Sequence, residues 1–169
     1  MDAEEILFLL EKLNDKLREE EVRGSIQMVG GAVMTVVFGA RASTMDVDAL
    51  LRPSDLLREA AAQVADENGY PTDWLNDGAK GFFGGKETFD EFTHFSNLDV
   101  FTMTPDALLA MKACAMRGDK DEQDLRFLVD YLKLPSFSAA VSLITKFYPD
   151  ELINVNARYV LLDIFGNDD

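Results

Sequence analysis

Residues 26–51 read Ile26-Gln27-Met28-Val29-Gly30-Gly31-Ala32-Val33-Met34-Thr35-Val36-Val37-Phe38-Gly39-Ala40-Arg41-Ala42-Ser43-Thr44-Met45-Asp46-Val47-Asp48-Ala49-Leu50-Leu51. Ile26 to Val29 is short and apolar, as a buried strand is, and Gly30-Gly31 turns the chain. Ala32 to Phe38 is apolar and ends at Gly39. It suits a buried helix, although Val36-Val37 would suit a strand as well. From Thr44 to Leu51, Met45, Val47 and Ala49 alternate with Asp46 and Asp48, which predicts a strand with both carboxylates on one face. Two anions that close repel unless something positive lies between them, and a hard divalent cation such as Mg²⁺ does this well. The plainer alternative for an Asp-x-Asp pair is the solvated face of an edge strand.

Working outward, Ile6, Leu7, Leu9, Leu10, Leu13 and Leu17 recur at helical spacing, so an amphipathic helix is expected over residues 3–20. Pro53-Ser54 opens a helix to Asn68, closed by Gly69. Thr72 suits the cap of a short helix through Trp74 to Ala79, and Gly81 to Glu91 reads as a loop or hairpin. Leu98 to Phe101 is a further strand. Thr104-Pro105 starts a helix to Arg117, Gly118 stops it, and another runs from Lys120 to Leu132. Pro135, Pro149 and Gly166 frame two last helices. Strands first and helices after predict an α+β fold with a small mixed sheet and a helical C-terminal part. The 169 residues suit one domain, with a sheet-containing core over 22–103 and a helical part over 104–169.

Composition narrows the chemistry. Apolar residues make up 47%, enough to bury a core, and no apolar run approaches a membrane span. The acidic start Met1-Asp2-Ala3-Glu4-Glu5 argues against a signal peptide. Cys114 and His94 each stand alone, which excludes an intrachain disulfide, a cysteine-rich zinc site and a histidine cluster, and points to a reducing, cytoplasmic setting. A formal charge of −15 repels a phosphate backbone, so no broad DNA- or RNA-binding face is expected, although Arg117 and Lys120 could form a local basic patch. Catalysis would have to run on carboxylates, lysine, arginine and backbone groups. Trp74 reads as core, Cys114 as helix packing and His94 as structural or surface.

The order Val29-Gly30-Gly31-Ala32, then Arg41-Ala42-Ser43-Thr44-Met45-Asp46-Val47-Asp48, resembles the nucleotidyltransferase superfamily. The resemblance is greatest to the branch of AbiEii-type toxins of toxin–antitoxin systems and related uncharacterised nucleotidyltransferases. Leu98-Asp99-Val100 resembles the strand with that family's third carboxylate. The run from Met111-Lys112 to Arg117, followed by Lys120-Asp121-Glu122-Gln123-Asp124-Leu125, resembles its helical Lys…Arg…Lys-Asp-x-x-Asp-Leu segment. The likeness spans about Met28 to Leu132 and leaves the last ~35 residues unmatched.

The resemblance implies Mg²⁺ on Asp46, Asp48 and Asp99, with a nucleoside triphosphate held by Gly30 and Gly31. It implies Lys112 near the phosphates, Asp121 as base towards the acceptor hydroxyl, and Arg41 and Thr44 supporting the metal strand. Two cations roughly 3.5–4 Å apart would serve nucleotidyl transfer. The acceptor would be an RNA or a protein, and the chain could act with an antitoxin or another protein partner. A catalytically inactive module of the same fold, working through a protein partner, is the alternative. Each role has a structural rival. Asp99 suits a strand rim, Lys112 an ordinary salt bridge, and Asp121 with Asp124 the start of a helix, where carboxylates complement the dipole.

Overall fold

A computed structural model describes residues 1–166. The protein is α+β, and its chain divides into two compact units, one of residues 1–81 with 89–103 and one of residues 82–88 with 104–169.

The first unit is built on a five-stranded mixed sheet: β1 Gly24–Met28, β2 Val47–Arg52, β3 Leu75–Asn76, β4 Phe89–His94 and β5 Leu98–Met103, in the order β3-β2-β1-β5-β4. β1 runs antiparallel to β2 and parallel to β5, β2 is parallel to β3, and β4 is antiparallel to β5. Three helices belong to this unit: α1 Ala3–Glu19, α2 Gly30–Val36 and α3 Ser54–Asn68. Asp2 and Glu5 close a capping box at the start of α1, accounting for two of its orphan N–H groups, and Ile6, Leu9, Leu10, Leu13 and Leu17 form its buried stripe.

Alternation in the strands decides which face is covered. Gly24, Ile26 and Met28 of β1, Val47, Ala49 and Leu51 of β2, and Leu98 and Val100 of β5 are buried. A Cβ at Gly24 would stand 2.7 Å from a Leu57 methyl and 3.2 Å from a Leu17 methyl, so that face lies under α3 and α1. Ser25, Gln27, Asp48, Leu50, Asp99 and Phe101 line the opposite face and are only half-buried.

The second unit is helical: α4 Pro105–Ala115, α5 Asp119–Tyr131, α6 Phe137–Ile144 and α7 Val155–Phe165. Thr104, Ser136 and Asn154 cap α4, α6 and α7 through side-chain oxygens. Leu108, Leu109, Leu125, Leu128, Ala140, Ile144 and Leu161 fill its core.

The expected elements differ from the observed ones in three places. The strand predicted from Thr44 begins at Val47, and Met45, expected to point inward, is 88% exposed. The helix expected over 72–79 is instead a tight turn, the two-residue strand β3 and a 3₁₀ turn at Gly78–Phe82. Phe89 to His94, of which Phe89 to Glu91 falls in the segment expected as a loop or hairpin, is the edge strand β4, paired antiparallel with β5; its residues are half-buried or exposed without a clean alternation, and the register shifts between Glu91 and Thr93.

Trp74 is core, as expected. It is fully buried, and its indole N–H donates to the carbonyl of Ala61 on α3 at 2.9 Å. The Trp74 carbonyl accepts the N–H of Val47 at 2.6 Å, so this one residue ties α3, β3 and β2 together. Trp74→Ala is expected to cost about 3–5 kcal/mol, as large aromatic truncations in cores do. Urea unfolding followed by circular dichroism checks this.

Candidate functional site

Asp46 and Asp48 lie at the N-terminal end of β2 and are half-buried. The Asp48 carbonyl accepts the N–H of Val29 at 2.9 Å, which holds the start of β2 level with the end of β1, where Gly30 turns into α2. Gly30 has φ +66°, a left-handed conformation that glycine adopts without steric cost. A Cβ at Gly30 would stand 3.9 Å from Asp48 Oδ2. The glycine turn and the second carboxylate of the Asp-x-Asp pair therefore face each other.

Arg41 and Thr44 pack on the next residue. A Cβ at Gly31 would meet Arg41 Nη1 at 2.6 Å and Thr44 Oγ1 at 3.0 Å, so glycine is what lets those two side chains approach the turn. The Thr44 hydroxyl donates to the Asp46 carbonyl at 3.1 Å, and Thr44 exchanges two backbone hydrogen bonds with Met1. The loop ahead of the Asp pair is thus fixed by its own threonine and by the start of the chain.

On the other flank of β2, Asp48 pairs in register with Asn76 of β3. Asn76 Nδ2 donates to Asp46 Oδ2 at 3.0 Å, and Asn76 Oδ1 accepts the N–H of Gly78 at 2.9 Å. The sequence places Asn76 in the expected short helix, from which it and the nearby Lys80 could line the site without an assigned chemistry. Its position follows from a parallel strand register that no local periodicity encodes.

Asp99 does not join this group, and this corrects the metal triad expected from the resemblance. It shares the sheet face of Asp48 but sits level with Ser25, whereas Asp48 is level with Val29. Four residues along the strands is roughly 13 Å and two strand spacings about 10 Å, too far for oxygens that must each reach within about 2.1 Å of one Mg²⁺. The β5 residues on this face nearest the level of Asp48 are Phe101 and Met103, both apolar. Among the described residues no group of three or more histidine, cysteine or acidic side chains is placed to hold a metal ion.

Asp99 instead accepts from His94 Nδ1 at 2.8 Å and from Arg23 Nη2 at 3.5 Å, and the His94 ring lies edge-on to Phe101. Its hydrogen bond with His94 holds the Asp99 carboxyl below its ordinary range, and the same bond raises the His94 pKa.

Lys112 and Asp121 meet in the second unit. Lys112, on α4, is buried, and its Nζ lies 2.7 Å from Asp121 Oδ1 and 2.8 Å from Asp124 Oδ2 on α5. Asp121 Oδ2 also accepts the N–H of Arg117 at 2.9 Å. Both Asp121 oxygens are therefore engaged in closing the α4–α5 turn, and the ammonium is shared between two carboxylates. Cys114 is half-buried, with its thiol pushed up to about 11 by burial, as expected of a packing cysteine.

No helix of the described residues is long and apolar enough to cross a membrane. Comparison with known protein families, curated proteins and solved structures finds no match for the chain.

Two predictions follow from these ion pairs. Raising the His94 pKa means the pair stabilises the fold fully at pH below the unfolded histidine value of ~6.5, and this contribution disappears as pH climbs through the raised value. Asp99→Asn should return the His94 midpoint towards ~6.5, read from the ring protons of the sole histidine by NMR. Lys112→Ala leaves Asp124, which is 3% exposed, without its cation. A loss of about 3–5 kcal/mol is expected in chemical denaturation.

Proposed function

We propose that the chain is an Mg²⁺-dependent nucleotidyltransferase whose site is the Asp46–Asp48 pair facing the Gly30-Gly31 turn. The observation that supports this most is the approach of Asp48 Oδ2 to Gly30, which sets a carboxylate beside a stretch of backbone open to a phosphate. A hard cation suits two half-buried carboxylates next to the glycines at 30 and 78, where a Cβ would stand in van der Waals contact with Asp48 at 3.9 and 3.7 Å. When bound, Mg²⁺ would neutralise the pair and polarise the α-phosphate of a nucleoside triphosphate.

The chain's own groups would then position and orient. Gly30 presents backbone to the triphosphate, while Arg41 and Thr44, packed on Gly31, hold the turn and the Asp strand in place. The acceptor hydroxyl oxygen gives up its proton to water as it forms a bond to the α-phosphorus, the bond from that phosphorus to the β-phosphate oxygen breaks, and pyrophosphate leaves. Most of the acceleration in such a step comes from positioning and charge stabilisation. The acceptor is an RNA or a protein hydroxyl, and the setting is cytoplasmic. The likeness of the Gly-Gly and Asp-x-Asp segments to AbiEii-type toxins suggests a toxin–antitoxin pair with a protein partner. Asp99, Lys112 and Asp121 have no part in this proposal, since their hydrogen bonds account for them as structural ion pairs.

A second reading is favoured by one observation. Phe101 and Met103 occupy the β5 positions where a third carboxylate would be level with Asp48. A site with two acidic ligands suits a nucleotide-binding module that does not transfer.

Incubation with each labelled nucleoside triphosphate, Mg²⁺ and cell lysate separates the two. With the intact chain, label should pass to an acceptor, and with Asp46→Ala/Asp48→Ala it should fall to background. Equal labelling by both proteins would overturn the transferase. Saturable nucleotide binding without transfer would favour the module.

A further inference from the structure

We infer that Asn76 completes the cation site as a positioning residue, setting Asp46 for the metal in place of a third acidic strand residue. This rests on the proposal that Asp46 and Asp48 bind a divalent cation.

Three observations carry it. The first is register: β3 is two residues long, and its pairing places Asn76 beside Asp48 on the flank of β2 away from β1. Buried Trp74, bonded to β2 and α3, anchors this short strand from just upstream. The second is the amide's clamping. Asn76 Oδ1 is tied to the backbone N–H of Gly78, which leaves Nδ2 to donate to Asp46 Oδ2. Apart from that bond, the Asp46 side chain has no hydrogen bond or ion pair among the described residues. One Asp46 oxygen is thus fixed by the amide, and the other is left for a cation. The third is space. A Cβ at Gly78 would stand 3.0 Å from Asn76 Oδ1, tighter than ordinary contact, and 3.7 Å from Asp48 Oδ1, so a glycine there lets the turn after β3 close on the Asn76 amide beside Asp48.

The chemistry is that of an outer-shell partner. A neutral amide donor steadies one carboxylate of a like-charged pair without adding a third negative charge. Such partners hold ligand orientation, and their loss typically weakens metal binding 10–100-fold.

The test is Mn²⁺ binding by the full chain, measured by calorimetry in the absence of nucleotide. Melting of each cation-free variant serves as the fold control. Asn76→Ala should weaken Mn²⁺ binding about tenfold while the cation-free melting transition is retained. Asn76→Asp removes the Nδ2 donor at nearly the same size and should weaken Mn²⁺ binding as well, whereas Asn76→Ser, which keeps a hydroxyl donor, should bind more tightly than Asn76→Ala, an order a merely structural asparagine would not give. If Asp46→Asn abolishes binding but Asn76→Ala leaves it unchanged, the role of Asn76 is overturned and the cation site stands. If the unaltered chain and Asp46→Asn bind Mn²⁺ alike, the cation site itself fails and Asn76 with it. Should Asn76→Ala not fold, Asn76→Asp decides: binding as tight as that of the unaltered chain overturns the inference.

Discussion

Everything at the candidate site depends on how β2 is held at its first two residues. The N–H of Val47 donates to the Trp74 carbonyl on one side, and the carbonyl of Asp48 accepts from Val29 on the other. Those bonds fix the level of the strand against both neighbours. A slip of one residue would turn Asp48 to the face under α1 and α3 and bring Val47 or Ala49 out, because side chains in a strand alternate. The apolar face of β2 makes that slip costly: Val47, Ala49 and Leu51 are all buried. Hydrophobic burial on one face of β2 therefore aims the carboxylates on the other.

The same dependence on register explains what was legible in the sequence. Helix α1 could be read almost to the residue because its apolar spacing is a local signal. Helix α4 could be read from Thr104-Pro105 for the same reason. The Asp46–Asp48 pair and the Gly30-Gly31 turn are close in sequence, and the hydrogen bond from Val29 to Asp48 brings them together as expected. Asp99 was misplaced because a strand pattern says which face a residue takes and nothing about its level. Leu98-Asp99-Val100 does put Asp99 on the face of Asp48, yet parallel pairing with β1 sets it beside Ser25, at the wrong end. Asn76 could be read only as a candidate for lining the site, with no placement, for the converse reason. Its strand is too short to show a period, and only pairing with β2 gives it a place. Met45 misled differently: an apolar residue in an alternating run is no guarantee of burial when hydrogen bonding to the sheet begins two residues later.

Lys112 and Asp121 illustrate how a charge pattern can be explained without chemistry. The helical run that resembles a catalytic segment contains a lysine, two aspartates at i and i+3, and a glycine between the helices. The fold uses the lysine and both aspartates to close one turn, with the ammonium shared by Asp121 and Asp124 and the Arg117 N–H bound by the remaining Asp121 oxygen. A buried ion pair of this kind is weak evidence for net stability, since desolvation offsets much of the attraction. It does specify geometry: Asp124 is almost wholly buried, so helices that separated would leave a charge without a partner.

The number of acidic ligands bears on how a cation would arrive. Mg²⁺ keeps several waters and is commonly held through one or two carboxylates together with substrate phosphates, while all-protein cages are rare for it. A site of two carboxylates steadied by an amide fits that mode, and three converging carboxylates would shift it towards tighter binding of the bare ion. In a chain of formal charge −15, a nucleoside triphosphate is repelled unless its own charge is screened. Cation and nucleotide arriving as one complex would meet both requirements, since the phosphates supply the missing ligands and the cation cancels much of their repulsion. The apolar residues Phe101 and Met103 then need not mark a decayed site. They are compatible with a site whose third ligand comes from the substrate, and the contribution of the chain is to hold two carboxylates and a glycine turn at one level of the sheet.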